Sequence, residues 1–417
     1  MNNFFSVKKF SKPPKDLLSQ LKSVATEGLY IDLSSFPMPL QYLVIKKSYY
    51  ERIKEDLESF TRIIDKIFIS IIREQNFVGL GLNEKEKEIL ENYNPEEYTG
   101  ALLRLDCALS NSGCKIMEIN ARHPFGPGGF FLYDELLRNN CDKANDYIRF
   151  DFEKTIFKKF KSLISKDQTL CLVYQPGKIT ESAIQEVQFL TKLFNSWGLN
   201  SFLVSLTDFK FKNNRFYYKK QKVNCVYRWF EMQNLPKNTL SNFQRSVEAG
   251  ELRTINDFSS LILGNKNFLA QLSEGKYNNY LSDREKKLYR KLIPRTVHLN
   301  KTKIKFLQKH KNDYLLKESR GTEGRNIIFG TDLSDKEWSE ILNRLLSKNY
   351  VAQRVVALPE AELRHYLSGE IVNMKVCFDF DPYFVDNKIC GYISRASINK
   401  ITNYNAGGIL TATLIEK

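Results

Sequence analysis

Ala101-Leu102-Leu103-Arg104-Leu105-Asp106-Cys107-Ala108-Leu109, then Asn111-Ser112-Gly113, then Lys115-Ile116-Met117-Glu118-Ile119-Asn120: this stretch decides how the chain is read. Asn-Ser-Gly is a turn signal, and the flanking runs have strand character. On a strand, residues two apart share a face, so Arg104 and Asp106 point one way together, as do Glu118 and Asn120. A turn centred near Ser112 sets Asp106 opposite Glu118 and Arg104 opposite Asn120, and all four converge on one patch. Leu103, Leu105, Met117 and Ile119 between them are apolar, as a core-facing side requires. Two carboxylates and an amide oxygen are hard ligands suited to Mg²⁺ carrying nucleotide phosphates. Arg104 suits a transferring phosphoryl group or a developing oxyanion. The same pattern also describes a surface hairpin with cross-strand Arg–Glu pairs.

Working outward, Tyr314-Leu315-Leu316-Lys317 reads as a strand ending on a lysine. Glu318-Ser319-Arg320-Gly321-Thr322-Glu323-Gly324-Arg325-Asn326 follows. Two glycines three apart let backbone amides approach phosphates, and Lys317 supplies a point charge. GxxxxGK[ST] is absent, so this is not a Walker A loop; an ordinary tight turn is the simpler description. Lys266, in Gly264-Asn265-Lys266-Asn267 at a helix entry, is a second candidate phosphate contact or a surface lysine. Tyr350-Val351-Ala352-Gln353-Arg354-Val355-Val356 reads as a strand running into a connector, whose backbone suits an adenine edge or a plain core strand.

The 417 residues are 42% hydrophobic and 27% charged, enough for a large core in two or three lobes. Seven scattered cysteines, with no CxxC, argue against a disulfide framework or zinc site and suit a reducing cytoplasm. Four histidines without ligand spacing argue against a zinc hydrolase. No apolar run reaches the length of a membrane span. The net charge of +15 fits an anionic partner or simply a lysine-rich solvated surface; no nucleic-acid module accompanies it. The apolar period of Tyr49–Ile72 predicts a helix, and Glu84–Tyr93 a shorter one. Residues 1–99 are expected to be a helical N-terminal region. From 166 to 250, a strand at Thr169–Tyr174, a helix from Thr180 to about Trp197 and strands at Ser201–Val204 and Val223–Tyr227 predict a Rossmann-like α/β unit without GxGxxG. Residues 251–417 carry the lysines and the glycine loop.

Taken in order, Arg104-x-Asp106, Glu118-Ile119-Asn120, Val226-Tyr227-Arg228-Trp229-Phe230, Asn265-Lys266, Lys317, Gly321-Thr322-Glu323-Gly324-Arg325-Asn326 and Tyr350-Val351-Ala352-Gln353 resemble the ATP-grasp superfamily. The closest resemblance is to its circularly permuted branch, the glutathionylspermidine-synthase-like ligases, over roughly residues 100–410. The order marks the branch, because the metal-binding Glu-x-Asn precedes the α/β unit and the lysines. The resemblance implies an α/β fold with α+β lobes: a permuted ATP-grasp segment at 100–165, an inserted preATP-grasp unit at 166–250 and ATP-grasp lobes at 251–417. It implies that Asp106, Glu118 and Asn120 hold Mg²⁺, as a pair of ions, and that Arg104 stabilises the transferring phosphoryl. Lys266 and Lys317 would contact ATP phosphates, with Gly321, Thr322, Glu323, Gly324 and Asn326 in a flexible lid. Gln353, Arg354, Val355 and Val356 would hold adenine. No stretch of the 417 residues is expected to form the amidase domain of some glutathionylspermidine synthases. Glu318 replaces the aromatic or proline after the loop lysine, and Ala121-Arg122-His123-Pro124-Phe125-Gly126-Pro127-Gly128-Gly129 departs from the usual continuation.

The activity so implied is ATP-dependent carboxylate–amine ligation through an acyl phosphate, releasing ADP and phosphate, in the cytoplasm. The substrate is expected to be a small amino acid, peptide or polyamine; an acidic carrier protein or a tRNA-linked acceptor is the alternative suggested by the charge. Arg122 and His123 are candidates for gripping the carboxylate, beneath a Gly126–Gly129 loop, or else part of a structural turn. Arg228 is a candidate catalytic residue or a structural salt bridge. Arg395, with Asn403, Asn405, Gly407 and Gly408, is a candidate for completing the nucleotide pocket. Two other readings stand beside the ligase: a kinase-like phosphotransferase, and a nucleic-acid-binding or scaffold protein on an inactive ATP-grasp fold.

Overall fold

The protein is described from a computed structural model that covers residues 4–417 apart from 12–15, 17–18, 21–37, 96–97, 99–101, 123, 125, 165–167, 323, 325 and 404–405. It is a mixed α/β structure with several sheets. The first long element is the helix Lys47–Glu74. Ile53, Leu57, Phe60, Ile64, Ile67, Phe68 and Ile71 recur at helical spacing and are buried in the largest core cluster. Gln75 ends it in the left-handed conformation, its N–H returning to Ile71 and Ile72. Near its start, the Tyr49 hydroxyl donates to the carbonyls of Ser110 (2.9 Å) and Gly113 (2.7 Å), which pins the turn of the carboxylate hairpin.

That hairpin, Leu103–Ser110 with Gly113–Asn120, lies at one side of a four-stranded antiparallel sheet completed by Asp381–Val385 and Lys388–Ile393. Asp106 is paired with Glu118 and Arg104 with Asn120, and a bulge follows Asp106. The register that the sequence pattern predicts is therefore the one observed.

The α/β unit has four parallel strands in the order Arg253–Ile255, Cys225–Trp229, Leu170–Tyr174, Ser201–Ser205. Cys225–Trp229 is buried at every position, as a central parallel strand should be. The Thr180 hydroxyl accepts from the Ala183 N–H and starts the helix Glu181–Ser196. A third sheet carries the lysine strand. Its order is Thr296–His298, Tyr350–Arg354, Tyr314–Glu318, Ile328–Phe329, all antiparallel, and the helix Asp335–Leu345 packs Trp338 and Leu342 against it.

Residues 1–99 depart from the expected helical region. Phe5–Lys9 pairs with Gln41–Ile45, which runs parallel to Thr413–Ile415 at the other end of the chain, and Met38–Pro39 pairs with the strand Glu360–Leu367. The buried run Tyr42–Ile45 is too short to show a period, and its partners are distant in sequence, so no local pattern signals it. The stretch 260–273 forms two helical pieces, Ser260–Leu263 and Lys266–Ser273, divided at Gly264-Asn265. That division sets Lys266 at the first position of its helix.

Candidate functional site

The carboxylate hairpin presents its polar face to a cluster of buried charges. Arg104 Nε donates to Asp106 Oδ1 at 2.9 Å, and Asn120 Nδ2 donates to the same oxygen at 2.7 Å. Arg395 Nη2 donates to Asp106 Oδ2 at 2.9 Å. The Arg395 guanidinium also reaches Asp379 at 2.7 Å and Asp381 at 2.9 Å. All five charged side chains are buried. Burial alone would raise the Asp106 pKa, but Arg104 and Arg395 outweigh it and hold the carboxyl below its usual range. Asp381 goes the other way. Burial pushes its carboxyl well up, the Arg395 charge opposes that, and the Asp106 and Asp379 charges add to it. Two guanidiniums thus face three carboxyl groups in this cluster.

Beside this cluster, the second strand of the hairpin meets the two lysines. Lys317 Nζ lies 2.9 Å from Gln353 Oε1 and 3.4 Å from the Met117 carbonyl. Lys266 Nζ lies 2.9 Å from Glu118 Oε1 and 2.7 Å from the Gly321 carbonyl. Burial lowers the Lys317 pKa to about 8, with Glu118 opposing the shift and Lys266 assisting it. Lys266 owes its position to Asn265, whose side chain caps the helix at Asn267 N–H and donates to the Leu80 carbonyl at 2.6 Å. The N-terminal region therefore underpins the site. Its helix Glu84–Glu91 supplies Glu86, which pairs with Arg320 at the entry to the glycine loop.

In that loop Gly324 has φ +69°, a conformation that favours glycine, and Asn326 also has positive φ. Thr322 and Asn326 are exposed, and Gly321 and Gly324 are half-buried. Glu323 and Arg325 lie outside the described residues, as do His123 and Asn405. Gln353 is tied to Lys317, Thr296 Oγ1 and the Met117 carbonyl, so its side chain serves the lysine rather than an open base-binding edge. Arg354 is exposed, and the N–H groups of Arg354 and Val355 are used by the carbonyls of Arg295 and Asp313. Val356 is half-buried on the connector beyond them.

Three other arginines named as candidates are placed as follows. Arg228 is buried and donates to the carbonyls of Asn256 (2.9 Å) and Asp257 (3.2 Å) and to Ser260 Oγ (2.6 Å). It braces the turn after the parallel sheet, and burial lowers its pKa to about 10. Arg122 pairs with Glu231 at 2.9 Å and packs on Gly264. Arg395, a candidate for completing the nucleotide pocket, is bound to Asp106 of the hairpin. Asp379, Asp381 and Thr402 were not singled out in the sequence. Asp379-Phe380-Asp381, two acids flanking one aromatic before Pro382, was the available signal. Gly126 and Gly128 stand at a helix start rather than in an open loop. They open the helix Pro127–Asn140, and their N–H groups donate to the buried Glu186 carboxylate at 2.8 and 3.3 Å. A separate cleft of ≈ 670 Å³ is lined by Arg138, Arg149, Phe157 and Trp197 among others, and none of the site residues lines it.

The chain belongs to the glutathionylspermidine synthase preATP-grasp family. That family's model matches residues 35–408. The match begins well before the hairpin, so it takes in much of the N-terminal region that the motifs alone left unassigned. No curated protein matches the chain. Among solved structures, a glutathione synthetase-like effector from Globodera pallida, in its apo form, is similar over 97% of this chain and 98% of its own, at 11% identity and a TM-score of 0.61. At that identity the likeness speaks for an ATP-grasp-related fold. A putative γ-glutamylcysteine synthetase from Methylobacillus flagellatus covers 84% and 86% at 12% identity, with a TM-score of 0.46. A D-alanyl-alanine synthetase A from Vibrio cholerae covers 60% and 89% at 10% identity, with a TM-score of 0.31.

The donor set of this preATP-grasp family member fits magnesium by its chemistry. Among the described residues no three His, Cys, Asp or Glu side chains form a ready metal cluster. Mg²⁺ bound with nucleotide commonly uses only one or two carboxylates, the phosphates and water. Asp106, Glu118 and Asn120 supply oxygens of that kind on one sheet face, and Lys266 and Arg395 now lie against the two carboxylates. Among the described residues no helix is long and apolar enough to cross a membrane.

Proposed function

We propose that the protein is an ATP-dependent carboxylate–amine ligase working through an acyl phosphate. The observation that carries this reading is the meeting of distant segments on one strand. Lys317, from the sheet bearing the glycine loop, reaches the Met117 carbonyl, while Lys266, from the helix beyond the α/β unit, reaches the adjacent Glu118. Two ammonium groups and two guanidiniums then surround a pair of carboxylates, which suits a triphosphate far better than a neutral ligand. Family membership supports the same reading. We also read the segment order, hairpin before α/β unit before lysines, as the permuted ATP-grasp arrangement. In it, 100–165 carries the metal hairpin and 251–417 the nucleotide lobes.

In the proposed reaction a substrate carboxylate oxygen attacks the γ-phosphorus, the bond to the β,γ-bridging oxygen breaks and ADP leaves. An amine lone pair then attacks the acyl carbon, the C–O bond to phosphate breaks, and the nitrogen gives its proton to solvent. Lys266 and Lys317 hold the phosphates, exchanging their carbonyl and amide partners for phosphate oxygens. Arg104 and Arg395 stabilise charge at the transferring phosphoryl. Asp106, Glu118 and Asn120 would hold Mg²⁺, which when bound offsets the phosphate charge. The Gly321–Gly324 loop covers the phosphates, and the connector at Arg354–Val356 borders adenine. The substrates are taken to be an amino acid, peptide or polyamine.

The test is ADP release from the full chain with Mg-ATP and a panel of carboxylate and amine pairs. ADP and phosphate forming only when both substrates are present is the expected result, with Glu118→Ala reducing the rate by about 10²- to 10³-fold. A phosphorylated product stable to amine would replace the ligase reading with a kinase. No nucleotide-dependent thermal stabilisation with Mg²⁺, together with salt-sensitive RNA binding, would replace it with a scaffold.

A further inference from the structure

Asp379 takes no part in the reaction outlined above, yet it is fully buried and organises everything around Arg395. Asp379 Oδ1 accepts the Arg395 backbone N–H at 2.8 Å. Its Oδ2 accepts Arg395 Nη2 at 2.7 Å and Nε at 3.1 Å, and also the hydroxyl of buried Thr402. A guanidinium is planar, so two of its nitrogens held on one carboxylate oxygen restrict where the remaining donors point. Here Nη2, one of the two nitrogens held on Asp379, also donates to Asp106 Oδ2.

Thr402 extends this order outward. It lies on the segment leaving the strand Arg395–Ser397, and that segment packs on the glycine loop. A Cβ on Gly324 would lie 3.2 Å from Asn403 Cβ and 3.3 Å from Ile401 Cγ2. Lys400 pairs with Asp332 and stands 5.2 Å over the Phe329 ring, on the strand that follows the loop. Gly408 fixes the return path, since a Cβ there would fall 1.9 Å from the Thr402 carbonyl oxygen. A continuous set of contacts thus runs from Asp106 through Arg395, Asp379 and Thr402 to Gly324.

We propose that Asp379 is a positioning residue that aims Arg395 at the hairpin carboxylate and, through Thr402, couples the glycine loop to that carboxylate. The loop's role as phosphate cover rests on the ligase reading; the mechanical link from Thr402 to the loop does not. Thr402→Val keeps the side-chain shape and removes only the hydroxyl, while Asp379→Asn removes the charge that orients Arg395.

Two readouts test this in the full-length protein. In hydrogen exchange without nucleotide, Thr402→Val is expected to speed exchange several-fold around Gly321–Gly324 and Ile398–Asn403, with the Leu103–Asn120 hairpin unchanged. Wild-type exchange at both segments would overturn the coupling. In Mg-ATP titrations followed by thermal shift, and by KM for ATP once a substrate pair is known, both variants are expected to bind Mg-ATP several-fold more weakly. Thr402→Val should do so with only a small loss of Tm without nucleotide. Wild-type affinity in Thr402→Val would overturn the proposal even if Asp379→Asn fails to fold. A wild-type protein that gains no stability from Mg-ATP would instead sink the ligase reading, and the exchange comparison would still decide the link.

Discussion

Around Arg395 every charge is answered inside the chain, whereas around Lys266 and Lys317 the ammonium groups lean mostly on neutral oxygens. The first region holds three carboxylates and two guanidiniums in mutual contact, all buried. In the second, the partners are the Met117 and Gly321 carbonyls, the Gln353 amide and a single carboxylate, Glu118. Breaking a buried ion network strands charge in a medium that solvates it poorly. Trading a neutral carbonyl for a phosphate oxygen strengthens a charged donor's bond. One site therefore contains a frame that resists change and a grip that is ready to change partners. The half-exposed glycine loop sits on the grip side.

The largest effect expected from this contrast is on the frame. Arg395→Met would leave Asp106, Asp379 and Asp381 with Arg104 as their remaining guanidinium neighbour. Removing one partner of a buried ion pair costs about 3–5 kcal/mol. Urea unfolding followed by circular dichroism should show a loss of that order, together with loss of turnover. A variant as stable as wild type would mean that the cluster is not a frame at all.

The grip should behave in the opposite way. Lys317→Met removes an ammonium that burial already disfavours, as its pKa of about 8 records. Stability should hold or rise, because the charged form is penalised in the folded state. Turnover should fall by about 10²-fold, the order lost with one electrostatic donor to a transition state. In the wild type, weaker ATP binding is expected as pH rises through about 8, since only the protonated amine attracts phosphate. Parallel losses of stability and rate in Lys317→Met would erase the distinction between the two regions.

The sequence made the grip and half of the frame legible, for physical reasons. Alternation on a short strand pair states its own register, so Asp106 could be set opposite Glu118 without coordinates. Lys317, Lys266 and the paired glycines announce themselves by residue type next to a strand end or helix start. The rest of the frame had only a faint local marker, the acids of Asp379-Phe380-Asp381. Asp379 and Thr402 acquire meaning only when the strand Asp381–Val385 pairs with the hairpin and the Arg395–Ser397 strand lies beside Glu370–Phe378. Arg228 stayed open between two roles because a buried arginine serving carbonyls has the same sequence appearance as one facing substrate. The N-terminal strands were missed because their partners lie near the C-terminus, and pairing at that range leaves no periodic trace.

Glu186 sharpens the contrast from a third position, a buried carboxylate hydrogen-bonded to two backbone N–H groups instead of being held by a guanidinium. The helix Pro127–Asn140 begins at those donors, so its dipole adds some favourable potential. That is too little to offset desolvation: burial raises the pKa from 4.5 to about 7, while Gly126, Gly128 and the more distant Arg104 oppose the shift. The folded protein therefore binds more protons here than the unfolded chain between those two values. By linkage, the stabilisation from this group is complete below about 4.5 and is lost as pH rises through about 7. Glu186→Gln keeps an acceptor for the two N–H groups but cannot ionise. Urea unfolding at a series of pH values should show the variant gaining about 1–3 kcal/mol on the wild type between acid and neutral pH. If the two profiles run parallel, dipoles alone solvate a buried carboxylate here, and the guanidiniums around Asp106 are not required to keep it charged.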